Sequence, residues 1–318
     1  MKAIKYIASL LAGITLFSCD NFEDINTNPD SVTKVSPKLL ATGAIVGLMK
    51  PSQKKDFVYN QMTCKYIGWS EALEGTQYNN FGRESFSGYT SLTNYKLMAE
   101  LTDKDETMNE DKRNAYKGLA LFLKAYRLFE YTLNVGDIPY EGILEGKEGN
   151  LTVAYNTQED VFKFLLNDLD KAHEYFQNAN QTTFNGDPIF GGKVEQWHRV
   201  SNALELRVLI NLSKKINSTD INIKSKFNEV LDRNLLLRSN ADNLQITFST
   251  KEGQLYPFNE SLHSYKQYVM ISGLVIDALK ANEDYRLFYY ANPSEGKLNS
   301  GSQENDWDAY KIGRASCR

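Results

Sequence analysis

From Asp111 to Leu133 the sequence keeps one apolar face without a break. Ala115, Leu119, Phe122, Tyr126, Phe129 and Leu133 recur at steps of three and four residues. That is the period of a helix and not the two-residue alternation of a strand. Gly136-Asp137-Ile138-Pro139-Tyr140 ends it, with Gly as the C-terminal cap and Pro shortly beyond. A long one-faced helix must bury its stripe against other helices, and the same pattern recurs along the chain. Ser36-Pro37 reads as an N-cap followed by a first-turn proline, leading into Leu39, Leu40, Ala44 and Leu48. Thr157-Gln158-Glu159-Asp160 is a near capping box that opens a helix carrying Val161, Leu165, Leu169, Ala172 and Phe176 inward. Val194–Ser213 carries Trp197, Val200, Leu204, Val208 and Leu212 on one face. Further helices are expected over Asp56–Trp69, Ser87–Leu101, and near 222–233 and 268–281. Leu244–Ser249 is one of few strand-like runs, and 71–85 and 181–192 read as loops. The class is mainly α.

The chain's start carries a different signal. Lys2 and Lys5 precede the apolar run Ile7–Phe17, which is too short to span a bilayer and suits a signal peptide over 1–18. Leu16-Phe17-Ser18-Cys19 resembles a bacterial lipobox, so Cys19 is expected to be the lipidated first residue of the mature chain. Acyl chains on one cysteine hold a folded body at a membrane, each buried methylene contributing about 0.8 kcal/mol. Residues 19–35 read as a polar leader, and Asp20-Asn21-Phe22-Glu23-Asp24 resembles a surface-export signal. The formal charge of −4 gives no field that would gather nucleic acid. Three cysteines make neither a disulfide framework nor a four-thiolate zinc site.

Several segments stand together in an order that resembles the SusD/RagB family of Bacteroidetes outer-membrane lipoproteins. They are the Asp24–Pro29 leader, Gly136–Tyr140, the Thr157–Ala172 helix, Gly186–Gly192 leading to Trp197 and Asn202–Arg207, and Ile276–Lys280 before Asp284-Tyr285-Arg286-Leu287. The resemblance implies a mainly-α SusD-like fold of tetratricopeptide-like helix pairs with loop-rich ligand-binding insertions, spanning 36–312. It also implies a surface protein that binds a nutrient, an oligosaccharide first, and delivers it to a SusC-like TonB-dependent outer-membrane transporter. No cofactor is implied. Family members are generally longer, so the domain is expected to be truncated at its C-terminus, with 313–318 a non-native tail. The competing reading is an interaction scaffold that binds only its partner barrel.

Signals for catalysis are weak. His173, His198 and His263 lack metal-type spacing and read as surface or packing residues. The carboxylate pairs Glu71/Glu74 and Asp137/Glu141 are no more than forty acidic residues produce by chance. Cys64 is expected to be a buried thiol, and Arg207 to pair with a buried carboxylate or to cap carbonyls. The chain is therefore read as a binding protein and not an enzyme. Aromatics make up 12% of it, with 19 tyrosines. A sugar offers an apolar face for stacking and a polar rim for hydrogen bonds. Trp69, Tyr78, Asn80, Phe81, Arg83 and Tyr89 combine both needs in a loop-rich interval. Trp307, with Tyr310, is a second candidate, and Tyr256, Phe258, Tyr265 and Tyr268 are a third.

Overall fold

A computed structural model describes residues 35–49, 61–69, 85–179, 181–256, 269–293, 295–303 and 306–310. The main body is built from α1 (Pro37–Met49), α2 (Thr90–Lys104), α3 (Glu110–Val135), α4 (Gln158–Asn178), α5 (Val194–Asn211) and α6 (Ile223–Asp232), with β1 (Ile67–Trp69) inserted between α1 and α2. Successive helices pack on one another, and α1 also packs on α2 and α3. The class is mainly α.

One continuous core joins these helices, with Leu92 and Met98 from α2, Phe122 and Phe129 from α3, Leu165 and Phe176 from α4, and Trp197 and Val208 from α5. Gly118 lets α3 and α4 approach, because a Cβ there would stand 2.8 Å from the Phe176 ring. The end signals also work. Gly136 caps α3 through a bond to the Thr132 carbonyl, and Asn109, not among the expected caps, caps its start by accepting from the Lys112 amide at 3.0 Å. Thr157 Oγ1 accepts from the Asp160 amide at 3.2 Å, while Asp160 Oδ2 accepts from the Thr157 hydroxyl. The Gln158 amide is instead satisfied by Asp137 Oδ1 at 2.8 Å.

The loop before α5 is organised by one carboxylate. Asp187 accepts from the amides of Ile189, Phe190 and Gly192 and from Trp197 Nε1 at 2.8 Å. Trp197 is thereby fixed at the core's centre, edge-on to Phe122 and Phe190. Gly192 has a φ of 80°, and a Cβ there would fall 1.8 Å from the Phe184 carbonyl oxygen.

Several expectations are corrected. Leu133 is exposed, and Leu128, Tyr131 and Thr132 carry the buried side of the last turns of α3. The cause is periodicity: a strict three-and-four alternation drifts around a 3.6-residue helix. The expected helix over Asp56–Trp69, described from Gln61 onward, is helical through Thr63. It then turns at Cys64-Lys65, where Lys65 has a φ of 61°, and ends as β1. The expected 268–281 helix likewise begins as β2 (Val269–Ile271) before α7 (Gly273–Ala281). Each strand exists because the other pairs with it, which local sequence does not report. Leu244–Ser249 forms no strand with the described residues. Cys64 is exposed. Arg207 is exposed and sits 5.6 Å over the Phe129 ring. The buried ion pair of α5 is Glu205 with Arg233.

Candidate ligand-binding cleft

A second, smaller core lies apart from the first. β1 and β2 run antiparallel, with Ile67 opposite Ile271 and Trp69 opposite Val269. The Ser272 amide extends the ladder to the Tyr66 carbonyl at 2.8 Å. Ser272 Oγ then caps α7 by accepting from the Leu274 amide at 3.1 Å. α7 packs on α8 (Leu287–Tyr290). The turn Trp307–Ala309 and Tyr310 close the group around Ile276, Leu287 and Ala291.

This ribbon and helix pair frame a cleft of about 860 Å³, lined among others by Cys64, Tyr66, Leu274, Val275, Arg286 and Tyr290. A volume of that size suits a small ligand. Tyr66, Leu274 and Tyr290 are 59%, 70% and 47% exposed. Arg286 stands at the wall, with Nε bonded to both oxygens of Asp284 at 2.9 and 2.8 Å and Nη2 also on that carboxylate. Arg286's hydrogen bonds hold the Asp284 carboxyl below its ordinary range. Chemically, the wall offers aromatic faces, an aliphatic floor and a fixed guanidinium. That set suits a neutral or acidic polar ligand with an apolar face.

The structure treats the expected site residues unequally. Cys19, Tyr78, Asn80, Phe81 and Arg83 lie outside the described residues, as do Phe258, Tyr265 and Tyr268 of the third cluster. Tyr256 is exposed, edge-on to Phe248. Trp69 ends β1 at the entry to the segment that holds Tyr78–Arg83. Tyr89 is half-buried with its ring among Phe86 and Tyr131, and its hydroxyl donates to the Pro139 carbonyl at 2.8 Å. Burial, reinforced by Tyr131 and Tyr155, raises its phenol above the ordinary range. Tyr89 therefore braces α2 against the end of α3. Trp307 is half-buried against Phe288 at 4.6 Å and Tyr285 at 5.6 Å. The ribbon and second core thus bring the Trp69 strand and the Trp307 turn into one module. Tyr66, Arg286 and Tyr290 were not singled out as binding residues. The signal available for two of them was the tyrosine-rich stretch Tyr285-Arg286-Leu287-Phe288-Tyr289-Tyr290, whose single buried residue is Leu287.

Two shallower hollows of about 430 Å³ each lie over α2, α3 and α4, sharing Lys96, Lys124 and Leu144. Their polar groups are mostly paired. Lys124 contacts Asp168 at 2.8 Å, Tyr140 donates to the same carboxylate at 2.6 Å, and Lys117 contacts Asp103 at 2.6 Å. Among the described residues, no three His, Cys, Asp or Glu side chains converge as a metal ligand set. No described helix is long and apolar enough to cross a membrane.

Comparison with known proteins gives the fold a family. The SusD-like profile, described as starch-binding associating with outer membrane, matches residues 29–315. No curated protein sequence matches the chain. A solved SusD homologue of Bacteroides fragilis is 40% identical with a TM-score of 0.75, over 87% of this chain and 57% of that one. A second from the same species is 28% identical with a TM-score of 0.72, over 88% and 58%. An outer-membrane protein of Bacteroides vulgatus, described in terms of nutrient binding, is 26% identical with a TM-score of 0.70, over 87% and 58%. The chain thus spans less than three-fifths of the length of these relatives. With a matching profile along nearly its whole length and the same helical architecture, the chain belongs to the SusD-like family.

Proposed function

We propose that this protein is an outer-membrane lipoprotein, anchored through Cys19 and facing outward, that binds a nutrient without transforming it and passes it to a SusC-like TonB-dependent transporter. The nutrient class favoured is an oligosaccharide. The observation that carries this is the cleft, where Tyr66 and Tyr290 stand exposed beside Arg286 at the edge of a paired ribbon. Aromatic faces stack on the C–H face of a pyranose, and the guanidinium bonds hydroxyls or a carboxylate. The family description, starch-binding at the outer membrane, supports the same class. Trp69, Tyr78, Asn80, Phe81 and Arg83 are proposed to contribute to ligand binding on their aromatic and polar chemistry.

The test is a glycan array followed by calorimetry on the intact protein. A glycan that binds should lose about tenfold or more in affinity with Tyr290→Ala, since a lost stacking partner costs roughly 0.5–1.5 kcal/mol beyond its buried area. The same glycan should slow alkylation of the Cys64 thiol on the cleft wall. A hit insensitive to Tyr66→Ala and Tyr290→Ala, with no protection of Cys64, places binding elsewhere. Acyl-chain labelling lost in Cys19→Ser tests the anchor.

A further inference from the structure

Away from the cleft, the fold brings together two of the chain's three histidines. His173 lies on α4 and His198 on α5, and His173 Nδ1 stands 2.6 Å from His198 Nε2. Their ring centroids are 4.7 Å apart with planes at 53°. His198 is 5% exposed and backed by the Phe176 ring at 5.9 Å. His173 is half-buried, so the pair is reachable from one side.

Two neutral imidazoles can meet in this way by sharing one N–H. The same geometry converges two ring nitrogens from two packed helices, which is what bidentate chelation needs. With metal–nitrogen bonds of about 2.0–2.1 Å, a tetrahedral ion sets the nitrogens about 3.3 Å apart and a right-angled one about 2.9 Å. The pair would open by roughly 0.3–0.7 Å from its present spacing to admit either. Because the rings meet nearly head-on, each must also turn by about 35–45° for its lone pair to face an ion beside the nitrogen–nitrogen line.

The surrounding charges are largely balanced. Arg199 is held by the Glu195 carboxylate at 2.5 Å and the Leu236 carbonyl at 2.8 Å. Arg233 is held by Glu205, Asp170 and Asn202. Arg233 disfavours a positive charge at both rings and Arg199 at His198, while Asp170, Glu174 and Glu229 act the opposite way on His173. Burial also holds both imidazoles below their ordinary pKa, His198 at about 3, so both rings are unprotonated ligands at neutral pH. On binding, the shared N–H moves to the outer nitrogen of its own ring, and no net proton is released.

We propose that His173 Nδ1 and His198 Nε2 form a two-histidine site for a late divalent transition ion, such as Zn(II) or Ni(II), with water completing the coordination. The site does not depend on the nutrient-binding reading.

The experiment uses the fact that the chain holds three histidines. Imidazole nitrogen spectra of the intact protein are followed during titration with Zn(II). Two ring sets should shift together and saturably, while that of His263 stays still. His173→Gln should weaken Zn(II) binding by about tenfold or more, and His263→Gln should leave it unchanged. The half-buried position of His173 makes its variant the one expected to keep the fold, checked by circular dichroism. The proposal is overturned if neither ring shifts at millimolar Zn(II), if only one does, or if binding proceeds through thiols without moving either ring. Equal affinity in the His173→Gln chain overturns it as well.

Discussion

Replacing Arg233 with Met should expose how α4, α5 and α6 are held together. Arg233 Nη1 lies 2.6 Å from Glu205 Oε2 and 3.0 Å from Asn202 Oδ1, while Nη2 lies 3.0 Å from Asp170. The Glu205 side chain is 1% exposed and that of Arg233 is 8%. Burial raises the pKa of Glu205 even against the opposing pull of Arg233. Removing the guanidinium leaves a buried carboxylate without its cation, which typically costs about 3–5 kcal/mol. For a body of this size that corresponds to a fall of roughly 10 °C in Tm. The pH dependence has a definite sign. Glu205 has a folded pKa above its unfolded value, so the folded state binds the proton more tightly, and stability falls as pH rises between the two values. Without Arg233 the folded value rises further, so the deficit of Arg233→Met should shrink as pH is lowered from 8 toward 5. Glu205→Gln should cost less, because Arg233 keeps Asp170 and Asn202. The Glu205→Gln/Arg233→Met double variant should recover part of the loss at pH 8. Thermal and urea unfolding of the four chains across that range reads the cycle. A deficit independent of pH, or a Glu205→Gln chain as damaged as Arg233→Met, would refute the reasoning.

Three shorter predictions concern the same scaffold. Asp187→Ala strips the acceptor from three amides and the Trp197 indole and should cost about 2–4 kcal/mol by urea denaturation, with a shift in tryptophan emission. Gly192→Ala, with its Cβ driven into the Phe184 carbonyl at positive φ, should cost more than Gly136→Ala, whose Cβ meets open space, when the Tm values of the two are compared. His198 titrates near 3 when folded, below its unfolded value near 6.5, so its neutral form favours folding and that contribution is lost as pH falls from about 6.5 toward 3. His198→Gln should therefore flatten the fall of Tm with acid over that window, and an unchanged slope would count against it.

The helices were legible because their information is local. Apolar positions at helical spacing, Ser and Thr at N-caps and Gly beyond the last turn act within one or two turns; α3 and α5 begin and end within two residues of their expected bounds, and α4 begins at its Thr157 cap. The order of motifs from Gly136 to Arg286 was enough to indicate the family. The cleft was much less legible. Its wall depends on Ile67–Trp69 finding Val269–Ile271 across two hundred residues of chain, and neither segment carries that partner in its own pattern. Tyr89 illustrates the opposite difficulty. Its composition and neighbours suggested a ligand platform, but tertiary packing gave its hydroxyl to Pro139.

By itself, then, the sequence determined the helical elements, their caps and the faces that must be buried, because those depend on spacing along one chain segment. Only the tertiary structure decided which polar and aromatic side chains remain available. It put His173 against His198, sealed Glu205 with Arg233, and left Tyr66 and Tyr290 exposed. Those outcomes rest on distances between residues far apart in the chain, and burial, which sets both pKa and accessibility, is a property of the packed whole.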